Sequence, residues 1–298
     1  MQNVMGALVF CLVSSTIAAA QPAPEPGEPP ASDSGGALDP ARQPGFVGID
    51  RIDGTSRAGV EATYLEPNMT GSLAPKPRLM RFNAHVAYVD QQRGFGGYLM
   101  VPFGYIRTGD GANAMTTSAL GDVELGAIYA PQLPGANVGL VLHAGITAPT
   151  GDDNLAGFVT GSVALSELYN GLPKGTTLKL GASPMFRHGS LFARLDLGMD
   201  WNIDARNATV GTGLHYNAGL GVDLGPAALM VASENMTLLK IEGTGGTARG
   251  ATLNAMVVSM RGNFRAVSPY LGVVIPVERD ISDLTDFAVT LGTDVRFD

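Results

Sequence analysis

The chain has 298 residues, of which 40 are glycine and only 15% are charged, whereas soluble domains usually carry about 25% charged residues. The net charge of −8, with no basic cluster, argues against nucleic-acid binding. After residue 20, no apolar run approaches the roughly 20 residues of a transmembrane helix. A chain this apolar without helical spans predicts a closed β-barrel, in which neighbouring strands pair every backbone polar group.

The first 56 residues are predicted to lie outside the barrel. Residues 4–17 are largely apolar and three alanines follow at 18–20, so residues 1–20 predict a secretory signal peptide. Cys11, the one cysteine, lies in this segment, so the cleaved chain would have no disulfide, thiolate metal site or cysteine nucleophile. Residues 21–44 are rich in proline and poor in large apolar side chains, and residues 46–53 are transitional; residues 21–56 together are predicted to be a disordered periplasmic linker.

Leu191–Trp201 shows the strand pattern most clearly. Its odd-numbered positions are all apolar, and its even-numbered positions include Arg194, Asp196 and Asp200. A period of two predicts a strand with one apolar and one polar face, long enough to cross a bilayer at a tilt. Twelve such runs follow residue 57: Ala58–Leu65, Leu79–Asp90, Gly97–Ile106, Leu120–Tyr129, Asn137–Ala148, Thr177–Phe186, Leu191–Trp201, Leu214–Leu224, Ala227–Met236, Ala251–Arg261, Ser268–Val277 and Phe287–Phe297. The ninth and tenth alternate poorly, which leaves their faces unassigned and keeps ten or fourteen strands open.

The connections between these runs alternate in length. The long ones are 67–78, 107–119, 149–176, 202–213, 237–250 and 278–286, and the short ones are 91–96, 130–136, 187–190, 225–226 and 262–267. This asymmetry is typical of outer-membrane barrels, which have short periplasmic turns and longer extracellular loops. An even number of strands then places both termini in the periplasm.

The polar positions of these strands are expected to face the lumen, because the other face would contact lipid. The predicted lumen-lining residues are Arg81, His85, Asp122, Glu124, His143, Lys179, Arg194, Asp196, Asp200, His215, Asp223, Asp294 and Arg296. Buried charges are costly, so this set implies water, partner charges or both. Two hypotheses stay open: the set lines a conducting pathway, or it fills a narrow barrel as a paired network. Its acidic surplus favours cations or neutral solutes.

The longest connection, 149–176, is the candidate gate, because it is unusually apolar for an exposed loop. Its apolar residues include Leu155, Phe158, Val159 and Leu165. The loop could fold inward, form a short helix across the mouth of the barrel, or contact lipopolysaccharide. The remaining alternative is an ordinary extracellular loop with a local apolar cluster.

The sequence carries no recognisable catalytic or metal-binding motif. The four histidines, at 85, 143, 188 and 215, lie on different segments, and Gly-x-Ser-x-Gly is absent. His-x-x-x-His and the acidic spacing of a calcium loop are absent too. We therefore predict no enzyme activity, no metal and no cofactor, and keep an outer-membrane hydrolase as the catalytic alternative.

Three segments resemble the phenol meta-pathway outer-membrane proteins. Leu120–Tyr129 is similar to the Gly-Asp-x-x-Leu-Gly-x-x-Tyr strand of that family, and Ala144–Asp152 is similar to its strand end Pro-Thr-Gly-Asp. Pro269–Gly272 is also similar to that group, and the resemblance covers residues 120–298. It implies an outer-membrane barrel and the uptake of small aromatic or other hydrophobic compounds.

The sequence therefore predicts an all-β protein whose residues 57–298 form a closed antiparallel transmembrane barrel. We expect about twelve strands in an up-and-down meander, in the bacterial outer membrane. The predicted function is a passive channel for small solutes. The expected partners are outer-membrane lipid, lipopolysaccharide, the barrel-insertion machinery and a small-molecule solute. A non-conducting barrel that acts as a surface scaffold or adhesin is the alternative.

Overall fold

The computed structural model describes the barrel and short parts of the segment before it. The described residues are 46–47, 52–68, 77–109, 111, 114–133, 137–152, 154, 156, 159, 165–171, 175–205, 211–243, 246–264, 266–278 and 285–297. The predicted signal peptide and most of the predicted linker lie outside these residues. Nowhere in the described ranges is there a helix long and apolar enough to cross a membrane.

The described strands form one antiparallel sheet that closes on itself. They are β1 (Arg57–Pro67), β2 (Arg78–Val89), β3 (Phe95–Thr108), β4 (Met115–Leu120), β5 (Val123–Tyr129), β6 (Val138–Ala148), β7 (Gly175–His188), β8 (Leu191–Ala205), β9 (Thr212–Asp223), β10 (Ala227–Gly243), β11 (Gly246–Gly262), β12 (Val267–Pro276) and β13 (Thr285–Arg296). The sheet closes between β1 and β13, where Arg57 lies opposite Arg296 and Leu65 lies opposite Ala288. The predicted closed antiparallel barrel is confirmed.

One position in the wall is occupied by two short strands. β4 pairs with the second half of β3, where Leu120 lies opposite Phe103, and β5 pairs with its first half, where Glu124 lies opposite Met100. Counted as one interrupted strand, β4 and β5 give the described barrel twelve wall positions, as predicted. The prediction of a loop at 107–119 is wrong at its end, because 115–119 are paired with β3.

β10 and β11 are much longer than predicted. They pair from Ala227 opposite Gly262 up to Gly243 opposite Gly246, so only residues 244–245 separate them. The prediction of a long loop over 237–250 is wrong. The threonines of this segment suggest a loop, but threonine is also common in strands. In the structure, the Thr237 and Thr252 hydroxyls lie 3.1 Å apart across the hairpin.

The two ends of the barrel differ. At one end, here called the turn end, β1 begins, β13 ends and short turns join the strands. Gly189 and Gly225 lie in two of these turns with φ of 59° and 87°, a conformation that glycine adopts without strain. At the other end, here called the loop end, residues 149–174 connect β6 and β7. This connection, here called the inward loop, contains a 3-10 helix at Leu165–Gly171.

Candidate functional site

Alternate residues of the wall separate an outer face from an enclosed face. On β8, Leu195, Leu197 and Trp201 are exposed, whereas Arg194 and Asp196 are buried. Because successive side chains of a strand point to opposite sides, exposed apolar and buried charged residues mean that the charged face lies inside the barrel. This arrangement reverses the one that a water-soluble sheet would show.

Twelve of the thirteen predicted lumen-lining residues stand at enclosed positions of strands, and Asp122 lies between β4 and β5. Ten are buried: Arg81, Asp122, Glu124, His143, Lys179, Arg194, Asp196, Asp200, His215 and Asp294. His85, Asp223 and Arg296 are half-buried. These residues form separate clusters at different ends of the barrel. For example, His85 contacts Asp294, and Lys179 contacts Glu124.

At the turn end, Asp294 is the centre of one charged cluster. Its Oδ2 lies 2.9 Å from Arg57 Nη1 and 3.1 Å from Arg261 Nη2, and its Oδ1 lies 2.9 Å from His85 Nε2. Arg57 also lies 3.0 Å from Asp53, a residue that precedes β1. These contacts join β1, β2, β11 and β13, so they hold the closing strands of the barrel together.

Residues 46–47 and 52–56, which precede β1, pack against the enclosed face of the barrel. The rings of Phe46 and Phe192 are stacked with centroids 5.6 Å apart, and Arg194 Nη2 donates to the Ile52 carbonyl at 3.2 Å. Val47 lies so close to the wall that a Cβ on Gly272 would meet it at 2.6 Å. Residues 46–47 and 52–56 are buried, which corrects the prediction of disorder for these positions. Apolar contact with the wall stabilises them.

At the loop end, Asp122 contacts both ends of the inward loop. Its Oδ1 accepts from the backbone N–H of Gly151 at 2.6 Å, and its Oδ2 accepts from the N–H of Gly175 at 3.0 Å. Its own N–H donates to the Asn170 carbonyl at 3.0 Å. Asp122 lies between β4 and β5, so the interruption of the wall strand is the place where the loop is attached.

Two further charged groups lie beside the inward loop. The Arg81 guanidinium forms an ion pair with Glu167 of the 3-10 helix and lies 4.0 Å from Glu61 of β1. The Glu124 carboxylate receives Lys179 Nζ at 2.8 Å and the Tyr98 hydroxyl at 2.7 Å. Asn170 Nδ2 also donates to Glu124 at 3.0 Å. Loop and wall are thus joined by charge-assisted hydrogen bonds, which are stronger than neutral ones.

The predicted gating residues fall partly within the described chain. Val159 and Leu165 are buried in one apolar cluster with Tyr169 and wall residues, whereas Leu155 and Phe158 lie outside the described residues. Burial and then the charge of Asp200 raise the pKa of Tyr169 well above its usual range. His215 Nδ1 lies 3.4 Å from Asp200 on the adjoining strands.

One half of the enclosed face is apolar, and the sequence patterns do not predict it. The inward side chains of β10, β11 and β12 include the buried residues Met230, Ala232, Met236, Leu238, Ala255, Val257, Tyr270 and Val274. The outer positions of β10 and β11 are also mostly apolar, for example Val231 and Val258, so no alternation marks these strands. Glu234 and Arg261, two buried charged residues of this half, were missed for the same reason.

Glu61 was also missed, although a signal for it exists. Glu61 and Thr63 of β1 alternate with Val60, Ala62 and Tyr64, and both polar residues are buried. Among the residues that the structure describes, no three His, Cys, Asp or Glu side chains are grouped so that they could hold a metal ion. The enclosed face therefore combines ion pairs, hydrogen bonds and an apolar surface.

Comparison with known proteins supports the architecture. No family model matches the sequence, and no curated protein sequence matches it. The crystal structure of an outer membrane channel from Pseudomonas putida F1 is similar, with a TM-score of 0.60 and 16% identity over 82% of this chain and 96% of that chain. The NanC porin structure has a TM-score of 0.51 and 11% identity over 80% of this chain and 100% of that chain. At these identities the similarity shows the fold, a closed twelve-strand barrel of the outer-membrane type.

Proposed function

We propose that the protein is a passive outer-membrane channel for small hydrophobic or aromatic solutes. The observation that carries this proposal is the apolar half of the enclosed face, whose side chains form one buried cluster with Phe46, Val47 and Leu165. A hydrophobic solute that passes through the barrel would meet this surface instead of paired charges. Met230 and Met236 belong to this surface, and methionine adapts its shape to varied apolar molecules. The resemblance to the phenol meta-pathway proteins agrees with such a solute.

In this proposal the turn end faces the periplasm and the loop end faces the outside. Short turns at one end and long connections at the other are typical of outer-membrane barrels. Both described ends of the barrel chain, Arg57 and Arg296, then lie on the periplasmic side. The outer face contacts lipid, the long connections contact lipopolysaccharide, and the barrel-insertion machinery assembles the chain.

Uptake of phenol or toluene into vesicles tests the proposal. We expect vesicles with the refolded protein to take up the probe faster than empty vesicles. Met236→Gln puts a polar amide of similar length on the apolar half, and we expect it to reduce the rate by about tenfold, which corresponds to the cost of burying one polar group. Met115→Gln is the matched control, since Met115 is 71% exposed. Equal rates for both variants would contradict the proposal.

A second candidate is a non-conducting barrel that acts as a surface scaffold or adhesin. It is favoured by the ion pairs Lys179–Glu124 and Arg57–Asp294, because the two charges within each pair neutralise each other inside the barrel. Planar-bilayer recording separates the two: the scaffold predicts no conductance above background at any voltage. We also retain the prediction that the protein is not an enzyme, and hydrolysis of an ester probe by refolded protein would overturn it.

A further inference from the structure

Two histidines lie in one row that crosses four neighbouring strands of the wall. His143 of β6 is paired with Gly181 of β7, Gly181 with Gly198 of β8, and Gly198 with His215 of β9. Both histidines are buried on the enclosed face. The row therefore has a ring at each end and no side chain between the two rings.

Each ring lies over the glycine of the strand next to it. A Cβ on Gly181 would collide with Cε1 and Nε2 of His143, and a Cβ on Gly198 would collide with Nε2 and Cε1 of His215. The two imidazoles thus extend toward each other from the two ends of the row. Neighbouring strands are about 4.8 Å apart, so the two Nε2 atoms, which lie over paired glycines, are separated by about that spacing.

Two other polar side chains of the enclosed face cross a glycine, and each ends on a carboxylate. His85 lies over Gly59, and its Nε2 is 2.9 Å from Asp294. Tyr270 also lies over a glycine and donates to Glu61 at 3.1 Å. In the row of the two histidines, by contrast, each ring reaches toward another ring. Two imidazole nitrogens that approach each other are joined by a proton or by a metal ion.

The carboxylate of Asp200 favours the metal ion. Its Oδ2 lies 3.4 Å from Nδ1 of His215, and Asp200 is fully buried. A histidine that binds a metal through one ring nitrogen usually has a carboxylate or another acceptor at the other nitrogen. Such an acceptor holds the proton on Nδ1 and leaves the lone pair on Nε2. On His215, Nε2 is the nitrogen that lies over Gly198, on the side of His143.

The number of ligands and their spacing indicate which metal fits. Imidazole binds copper well, and Cu⁺ is stable with two nitrogen ligands in a line. Metal–imidazole bonds are about 2 Å long, so such an ion needs two nitrogens about 4 Å apart, close to the strand spacing. Structural Zn²⁺ takes four ligands, whereas the described part of the chain has no group of three His, Cys, Asp or Glu side chains that could hold a metal.

We propose that His143 and His215 bind one Cu⁺ ion between their Nε2 atoms, and that Asp200 is a positioning residue for His215. The ion connects β6 to β9 across two strands and lies outside the apolar half of the enclosed face. The inference goes beyond the proposed function, because the solute proposed there is apolar. It replaces the prediction of no metal, which depended on local motifs, since the two ligands come from different strands.

Calorimetric titration of the refolded full chain with Ag⁺ tests the site, because Ag⁺ prefers the same two-coordinate geometry and stays monovalent in air. A chloride-free buffer and a Cys11→Ser background remove competing ligands, since Cys11 is the one thiol. We expect one tightly bound Ag⁺ per chain. His143→Gln and His215→Gln should each weaken its binding by at least about a hundredfold, because losing a ligand costs more than losing an outer partner.

His188→Gln is the matched control for these variants. His188 is exposed at the end of β7 and lies outside the row. We expect it to bind Ag⁺ as the parent chain does. Equal binding in all three histidine variants would overturn the site, and so would Zn²⁺ binding as tight as that of Ag⁺.

Long-range ¹H–¹⁵N spectra of the imidazoles give a second readout, which keeps both ligands in place. One equivalent of Ag⁺ is added to the Cys11→Ser chain, and each resonance is assigned from the variant that lacks it. We expect the Nε2 resonances of His143 and His215 to shift together and those of His188 to stay unchanged. A shift of one ring alone, or of neither, would overturn the paired site.

Asp200→Asn tests the positioning role. The amide keeps the shape of the side chain but removes its charge, and we expect the affinity for Ag⁺ to fall by about tenfold to a hundredfold with one ion still bound per chain. Unchanged affinity would overturn the role of Asp200. Uptake of phenol is measured separately, so an Ag⁺ site in a barrel that takes up no phenol would leave this inference intact and the proposed function wrong.

Discussion

The enclosed face of the barrel has a charged half and an apolar half, and they are stabilised differently. The strands β5 to β9 carry Glu124, Lys179, Arg194, Asp196 and Asp200 inward, and most of these side chains have fixed partners at hydrogen-bond distance. The strands β10 to β12 carry mainly methionine, alanine and valine inward. Ion pairs need one geometry, whereas flexible apolar side chains tolerate several. The charged half is therefore expected to be the less tolerant of substitution.

Lys179→Met should have the largest effect on stability. The change leaves the Glu124 carboxylate buried without its positive partner, and the free energy of unfolding is expected to fall by about 3–5 kcal/mol. Met236→Leu on the apolar half should cost less than about 1.5 kcal/mol, because the volume is nearly conserved. Urea unfolding of protein refolded in detergent micelles measures both.

The double variant Glu124→Leu with Lys179→Met is the control for this contrast. Replacing both charges by apolar side chains should recover much of the loss, since no buried charge then lacks a partner. Equal losses for Lys179→Met and Met236→Leu would mean that the two halves do not differ in tolerance.

Two glycine substitutions sharpen the contrast at a smaller scale. A Cβ on Gly198 would lie 2.0 Å from His215 Nε2 and 2.8 Å from the backbone oxygen of Leu180, so Gly198→Ala should cost about 1–3 kcal/mol. A Cβ on Gly219 would lie 2.8 Å from the Met230 sulfur, which can turn aside, and Gly219→Ala should cost less than about 1 kcal/mol. The same unfolding assay decides, and a larger loss for Gly219→Ala would contradict the expected order.

Tyr169 gives the smallest effect, at the boundary between the two halves. Because the pKa of Tyr169 is raised, the folded protein favours the neutral phenol more strongly than the unfolded chain does, and this difference contributes to stability. That contribution is complete below pH about 10 and decreases as the pH rises above the ordinary tyrosine pKa toward the raised one. Absorbance titration of the wild type against Tyr169→Phe identifies this group. Asp200→Asn should lower its pKa only in part, since burial is the larger cause; a return to the ordinary value would make Asp200 the main cause.

The sequence predicts the barrel well where the two faces differ in polarity. On β8 every second residue is apolar, and the structure extends that strand over Leu191–Ala205. On β10 the outer residues Leu229 and Val231 alternate with the inner residues Met230 and Ala232. Because all four are apolar, no period-two pattern appears. The sequence therefore predicts neither which residues of β10 face inward nor where the strand ends.

The contacts of the inward loop could not be predicted, for a different physical reason. Arg81 and Glu167 are 86 positions apart, and no local pattern pairs them. Asp122 stands out in the sequence as part of a Gly-Asp motif on a strand. Its role in holding Gly151 and Gly175 depends on where the chain returns after the loop, which only the closed barrel determines.

The seam between β1 and β13 has a consequence for the order of folding. Arg57 and Asp294 are separated by 237 positions and meet at 2.9 Å only when the first and last strands pair. Bringing residues this distant in sequence together carries a loop-closure entropy cost that contacts between neighbouring strands largely avoid, so we expect this contact to form late. The neighbouring strands can pair one after another along the chain, but this contact needs all of them in place. The Arg57–Asp294 pair is thus a marker of complete assembly, and its formation separates an open curved sheet from a finished barrel.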